Sequence, residues 1–155
     1  MPEMFTELLA KRLDTISNIH VMEGENGQKV KAGEAYIARG GMHMEIVDRR
    51  GDLVLKTHNG PKENACRPSV DVLFRSVAKC RGDSCLSVIL TGMGKDGFKG
   101  TEAIREKGGQ VIAQDEASSV VWGMPGYVVK GGLAHAEFPL LRITEGIVKR
   151  VTQKR

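Results

Sequence analysis

Aromatic side chains are scarce: four Phe, two Tyr and one Trp in 155 residues. Only Phe5, Tyr36 and Phe74 precede position 90, too few to build a stacking platform for single-stranded nucleic acid. Cysteine is scarce as well. Cys66, Cys80 and Cys85 make an odd number, which argues against a disulfide scaffold and for free thiols in a reducing compartment. Cys80 and Cys85 lack a second pair, and Met42-His43-Met44 reads as strand rather than as a soft-metal site, so no metal is expected. No apolar run approaches the ~20 residues needed to cross a bilayer. The opening residues, MPEMFTELLAKRLD, lack the apolar stretch of a secretion signal. A cytoplasmic protein is the expectation.

What is present suits one domain spanning residues 1–155, with 41% apolar and 27% charged residues. The net charge of +4 is modest. Basic residues are dispersed except at Lys149-Arg150 and Lys154-Arg155, which read as solvating a helix end. Nucleic-acid binding is not expected.

Phe5, Leu8, Leu9, Leu13 and Ile16 recur at amphipathic-helix spacing over 3–16. Short strands follow at 20–22 and 34–38, then a hairpin over 44–58 around Arg49-Arg50-Gly51-Asp52. After the polar loop NGPKENACRP, Ser69 is placed to cap a helix with Asp71 in its first turn and Val70, Leu73, Phe74 and Val77 inward. From there strand and helix alternate: strand 87–91, helix 98–107, strand 110–114, a Gly/Pro-punctuated stretch, and a last helix over about 140–153 with Ile143, Ile147, Val148 and Val151 inward. Val/Ile/Leu-rich strands alternating with helices predict a doubly wound, mostly parallel α/β sheet with an attached antiparallel hairpin.

TGMGKDGFKG (91–100) holds the chemistry. It sits where a strand hands over to a helix, the place at which open parallel sheets collect ligands and reactive groups. Gly92, Gly94 and Gly97 match the dinucleotide fingerprint G-x-G-x-x-G, and Asp115 ends the next apolar run, where a ribose-binding acid would stand. Against this, Asp96 would set a carboxylate beside the pyrophosphate. A second reading makes the loop a plain tight turn with a capping Asp. In a third, the turn presents Asp96 as the acid of a catalytic triad, receiving a histidine N–H and stabilising the imidazolium.

Four stretches, GEAYIARGGMHMEI (33–46), RPSVDVLFRSVAK (67–79), VILTGMGKDG (88–97) and IAQDEASSVVWGMP (112–125), closely resemble the catalytic domain of the chemotaxis protein-glutamate methylesterase family, CheB. The resemblance runs in one order from Met1 to about Leu141. It implies a doubly wound α/β domain that hydrolyses γ-glutamyl methyl esters on chemoreceptors, and commonly deamidates receptor glutamines, through a Ser-His-Asp acyl-enzyme route without a cofactor. It implies that Asp96 is the triad acid and that Met93 helps shape the site.

The family's nucleophile lies in a Gly-Ala-Ser-Thr-Gly-Gly turn after the first strand, and its histidine immediately precedes a Met-Pro pair. These 155 residues open at Met1-Pro2 and therefore hold neither, nor the first strand–helix–strand unit of the family domain. His20, His43, His58 and His135 are not expected to supply the base, nor Ser118 or Ser119 the nucleophile. The chain alone is accordingly expected to be a very weak or inactive esterase. With edges unpaired, it is expected to form a homo-oligomer or domain-swapped dimer, or to need the upstream segment in trans. A non-catalytic receptor- or partner-binding module is the alternative, with a dinucleotide-binding domain more distant.

Overall fold

The computed structural model describes residues 3–152, so Met1, Pro2 and the tail Gln153, Lys154 and Arg155 lie outside the described residues. Helix α1 (Glu3–Ile16) forms over the expected span. Its buried side is not the apolar stripe. Thr6 and Ala10 are buried, whereas Met4, Phe5, Leu8 and Ile16 are 56–73% exposed. The small side lets the helix approach backbone closely, and Thr6 Oγ1 accepts the Gly40 N–H at 3.0 Å while donating to Glu3 O at 2.8 Å.

Strand β1 (His20–Glu23) lies under α1 and pairs in parallel with β2 (Glu34–Ile37). Strands β3 (His43–Arg49) and β4 (Asp52–His58) form the expected antiparallel hairpin. Arg50 and Gly51 both take left-handed backbone (φ 57° and 92°), the geometry that lets a two-residue turn follow the twist of its strands. The segment 27–30 lies along β4: the Gly27 N–H donates to Leu55 O, Leu55 to Gln28 O and Val30 to Leu53 O, each at 2.8 Å. These bonds tie the N-terminal block to the hairpin.

Helix α2 (Val70–Arg81) packs on β3 and leads through a 3₁₀ turn (Gly82–Ser84) to β5 (Leu86–Ile89). Then come α3 (Phe98–Glu106), β6 (Gln110–Gln114), α4 (Met124–Lys130), β7 (Ala136–Phe138), a second 3₁₀ turn (Leu140–Arg142) and α5 (Ile143–Thr152). Strands β5, β6 and β7 are parallel and adjacent in that order. The α/β class with parallel strands and one antiparallel hairpin is as expected, but the parallel strands fall into two separate blocks, β1–β2 and β5–β6–β7, rather than one sheet.

The core lies in the C-terminal block. Ala78, Ile89, Ile104, Val111 and Val128 are almost solvent-free, with Phe74, Phe98 and Leu133 packed around them. Two elements were not predicted. The punctuated stretch contains α4, with Pro125 in its first turn, where a missing N–H costs nothing. Strand β7 has only three residues, too few for a period to show. In α5, Ile143 and Gly146 are buried, but Val148 and Val151, expected inward, are 55% and 60% exposed.

Candidate active site

The loop from Leu90 to Gly97 leaves the carboxyl end of β5. Gly94 and Gly97 have φ of +85° and +93°, left-handed values that a side chain would strain. The loop is zipped to the one that follows β6. Gln114, fully buried, accepts the Thr91 N–H at 2.8 Å through Oε1 and donates through Nε2 to Ser118 O at 2.8 Å. Thr91 Oγ1 accepts the Val121 N–H at 2.9 Å, and the Gly92 N–H donates to Val121 O at 3.0 Å. Gly92 passes so close to Met124 that a Cβ there would lie 2.4 Å from its sulfur.

This clamp turns Asp96 inward, 6% exposed, against the head of α2. Its Oδ1 accepts from Ser69 Oγ at 2.6 Å, Asn64 Nδ2 at 3.0 Å and the Asp71 N–H at 3.3 Å. Its Oδ2 accepts from the Val70 N–H at 2.8 Å. Ser69 is thus the N-cap residue by position, but its hydroxyl donates away from its own helix, and Asp96 caps α2 in its place. The oxygens are unequally filled. Among the described residues Oδ1 has three donors and Oδ2 one, and a carboxylate offers about four acceptor positions in all.

The arrangement is reciprocal. Asp71, in the first turn of α2 and 1% exposed, sends Oδ1 to the Gly100 N–H in the first turn of α3 at 2.6 Å. Each acid therefore serves the N-terminus of the other's neighbouring helix, where a negative charge is favoured. The crossing requires a glycine: a Cβ on Gly100 would stand 2.6 Å from Phe74 Cβ and 3.0 Å from Asp71 Cα.

Beside the carboxylates, Arg75 grips Glu63 with two bonds of 2.7 and 2.5 Å, and these hold the Glu63 carboxyl below the usual carboxylate range. A depression lined by Ala38, Met44, Pro68, Ser69, Val70 and Leu73 opens next to the network. Met93 stands in the same turn as Asp96 but on its outer side, 86% exposed.

Among the described residues none of the four histidines meets Asp96, although His43 reaches Ser69 of its network. His43, 1% exposed, has Nε2 2.9 Å from Pro61 O and Nδ1 accepting the Ser69 N–H at 3.2 Å, which makes it the neutral Nε2–H tautomer. His20 Nδ1 meets Asp14 at 2.6 Å, and His58 lies 3.3 Å from Glu45. His135 Nδ1 accepts the Val111 N–H at 3.0 Å. Burial first, then the charges of Arg105 and Arg150, push its pKa down. Among the described residues no histidine meets a serine hydroxyl. Ser118 Oγ donates to Asp115 at 2.6 Å and accepts the Leu140 N–H at 2.8 Å, while Ser119 Oγ donates to Asp115 O at 2.7 Å.

The dinucleotide alternative loses its anchors here. Asp115 is consumed in a turn with Ser118, and the Gly100 N–H at the head of α3 is already held by a carboxylate. No group of acidic, histidine or cysteine side chains suited to a metal occurs among the described residues. None of their helices is long and apolar enough to cross a membrane. Sequence reasoning overlooked Asn64 and Gln114 and gave Asp71 only a dipole role in its own helix. A lone Asn in a polar loop carries no periodic or motif signal.

The family model described as CheB methylesterase matches residues 1–147. A protein-glutamate methylesterase/protein-glutamine glutaminase of Trichodesmium erythraeum is 49% identical over 151 residues, covering 97% of this chain and 43% of that protein. One from Paramagnetospirillum magneticum is 44% identical over 154 residues, covering 99% and 40%. The chain thus spans about two fifths of the length of these curated relatives. The crystal structure of the Thermotoga maritima CheB methylesterase catalytic domain superposes with a TM-score of 0.94 at 40% identity, over 97% of this chain and 80% of that one.

Proposed function

The chain belongs to the CheB methylesterase family, and from that premise we propose that Asp96 is the acid of a Ser-His-Asp site that hydrolyses glutamyl methyl esters, and deamidates glutamines, on chemotaxis receptors. The observation that carries this reading is the uneven filling of a buried carboxylate. Three donors fix Oδ1, and Oδ2 keeps one lone pair for an incoming imidazole N–H.

In the reaction, a serine hydroxyl attacks the ester carbonyl and passes its proton to the histidine. Asp96 orients the imidazole through Nδ1–H and stabilises the imidazolium charge. Collapse of the tetrahedral intermediate, with the same proton returned to the leaving oxygen, releases methanol and leaves an acyl-serine. Water, deprotonated by the histidine, then frees the glutamate and the serine. Met93, outermost in the turn, would border the path of the substrate.

The serine and histidine come from the segment that precedes Met-Pro in the family. On this reading the 155 residues by themselves hold the acid half of the site and hydrolyse poorly. The exposed stripe of α1 and the strand edges favour association with a second copy or with that segment.

The test is methanol release from methylated receptor by three preparations: the 155-residue chain, the chain mixed with the family's Ser/His segment, and the two joined. Activity confined to the latter two, and abolished by Asp96→Asn, is expected. Normal turnover by the chain alone overturns the division of the site. Sedimentation of the chain alone checks its association, and a stable monomer counts against it.

A further inference from the structure

Three of the four donors on Asp96 come from residues 69–71 at the head of α2; the fourth is the side-chain amide of Asn64, from the 59–68 loop. That amide does a second thing. Its Nδ2 also donates to Asp71 Oδ2 at 2.8 Å, so its two hydrogens are shared between two buried carboxylates. Ionised carboxylates only accept hydrogen bonds and repel each other in a low-dielectric site. An NH₂ group supplies one hydrogen to each, which a hydroxyl cannot do.

The backbone suits that residue. Asn64 has φ 51°, a left-handed value that Asn tolerates better than most residues. Its loop is held on both sides: Glu63 by Arg75, and Glu63 and Cys66 by paired backbone bonds of 3.1 and 2.8 Å. Arg67 Nη1 adds bonds to Asn59 O and Gly60 O, both at 2.9 Å.

We propose that Asn64 is a positioning residue for the hydrolysis: by bridging Asp71 and Asp96 it fixes the plane of the Asp96 carboxylate, so that Oδ2 presents its open lone pair toward the histidine. This rests on Asp96 being the triad acid. Asn64 touches neither substrate nor reacting atoms and acts through Asp96. Without it, Asp96 can rotate to fill Oδ2 from α2, and the imidazole loses a fixed acceptor.

Two variants and two readouts test it. Asn64→Gly keeps the left-handed backbone and deletes the donor, and Asn64→Asp keeps shape and backbone preference but swaps the donor for an acceptor. In the 155-residue chain, amide NMR resonances of Val70 and Gly100, which report the two carboxylates, are expected to move together in both variants while those of α5 stay in place. In the domain joined to the Ser/His segment, N64G is expected to lower kcat about ten-fold or more with KM within about two-fold, and N64D to lower it further. Introduced into an Asp96→Asn background, N64G is expected to cost less than about two-fold more. Unmoved Val70 and Gly100 resonances, or an N64G loss as large without Asp96 as with it, overturn the positioning role alone. An Asp96→Asn variant with full kcat instead overturns the triad reading on which the role rests, so the two failures are separable.

Discussion

Helices α1 and α3 both carry apolar residues at helical spacing, and the molecule uses them in opposite ways. Ile104 of α3 is 1% exposed in the main core, whereas Leu8 of α1 is 56% exposed. Helix α3 crosses α2 at Gly100 and shares a capping network with it, so its apolar side is committed within this chain. Helix α1 is held by its small residues, through Thr6 and Ala10, and its stripe faces outward. Periodicity therefore reports which side of a helix can be buried; whether it is buried depends on a partner element.

That contrast can be broken most sharply at the carboxylate. In the joined domain Asp96→Asn is expected to reduce methanol release on the order of 10⁴-fold, because an amide oxygen cannot stabilise the imidazolium as a carboxylate does. A loss under about ten-fold would reduce the polar network to a structural brace. Next comes packing. Ile104→Ala should destabilise the chain by about 2–5 kcal/mol through lost burial and the cavity left behind, whereas Leu8→Ala should cost under about 0.5 kcal/mol in the monomer, both read by urea unfolding. Equal losses would show that the α1 stripe is buried in solution. Gly100→Ala sharpens the point from the backbone side. Its Cβ would press on Phe74 and Asp71, and about 1–3 kcal/mol of destabilisation is expected, with the Asp71 amide resonance displaced.

Smallest is a pH effect in the well-packed block. His135 is neutral in the fold, accepting the Val111 N–H, and its pKa is lowered below the unfolded value of about 6.5. The unfolded chain therefore binds the extra proton more readily. The stability involved is present above about pH 6.5 and is lost as the pH falls through that value toward the folded one. Comparing thermal midpoints at about pH 7.5 and about pH 5.5, the drop should be smaller in His135→Gln than in the parent chain, and an identical drop would remove His135 from the account.

Much of the fold was legible. The α1 boundaries, the hairpin expected over 44–58 and the strand–helix order from Val70 to Gln114 follow from period and turn chemistry. What escaped was set by tertiary contact. Strand β7 is defined by its pairing to β6, and the split into two parallel blocks depends on which strands find neighbours. At the site, the glycine turn and the family motif singled out Asp96, but not its environment. Ser69 and Asp71 were read as caps for their own helix, the local rule. The structure redirects both across to Asp96 and α3, an exchange between segments that no window of sequence contains.

The mutual capping has an evolutionary corollary. Because Asp96 completes the start of α2 while Asp71 completes the start of α3, discarding Asp96 would fray α2 and discarding Asp71 would fray α3, whatever became of the proposed catalysis. A lineage without the proposed hydrolysis would still be held to an aspartate at position 96 by the start of α2. If the proposed activity were lost, changes should then appear first at Met93, which stands 86% exposed on the outer side of the turn.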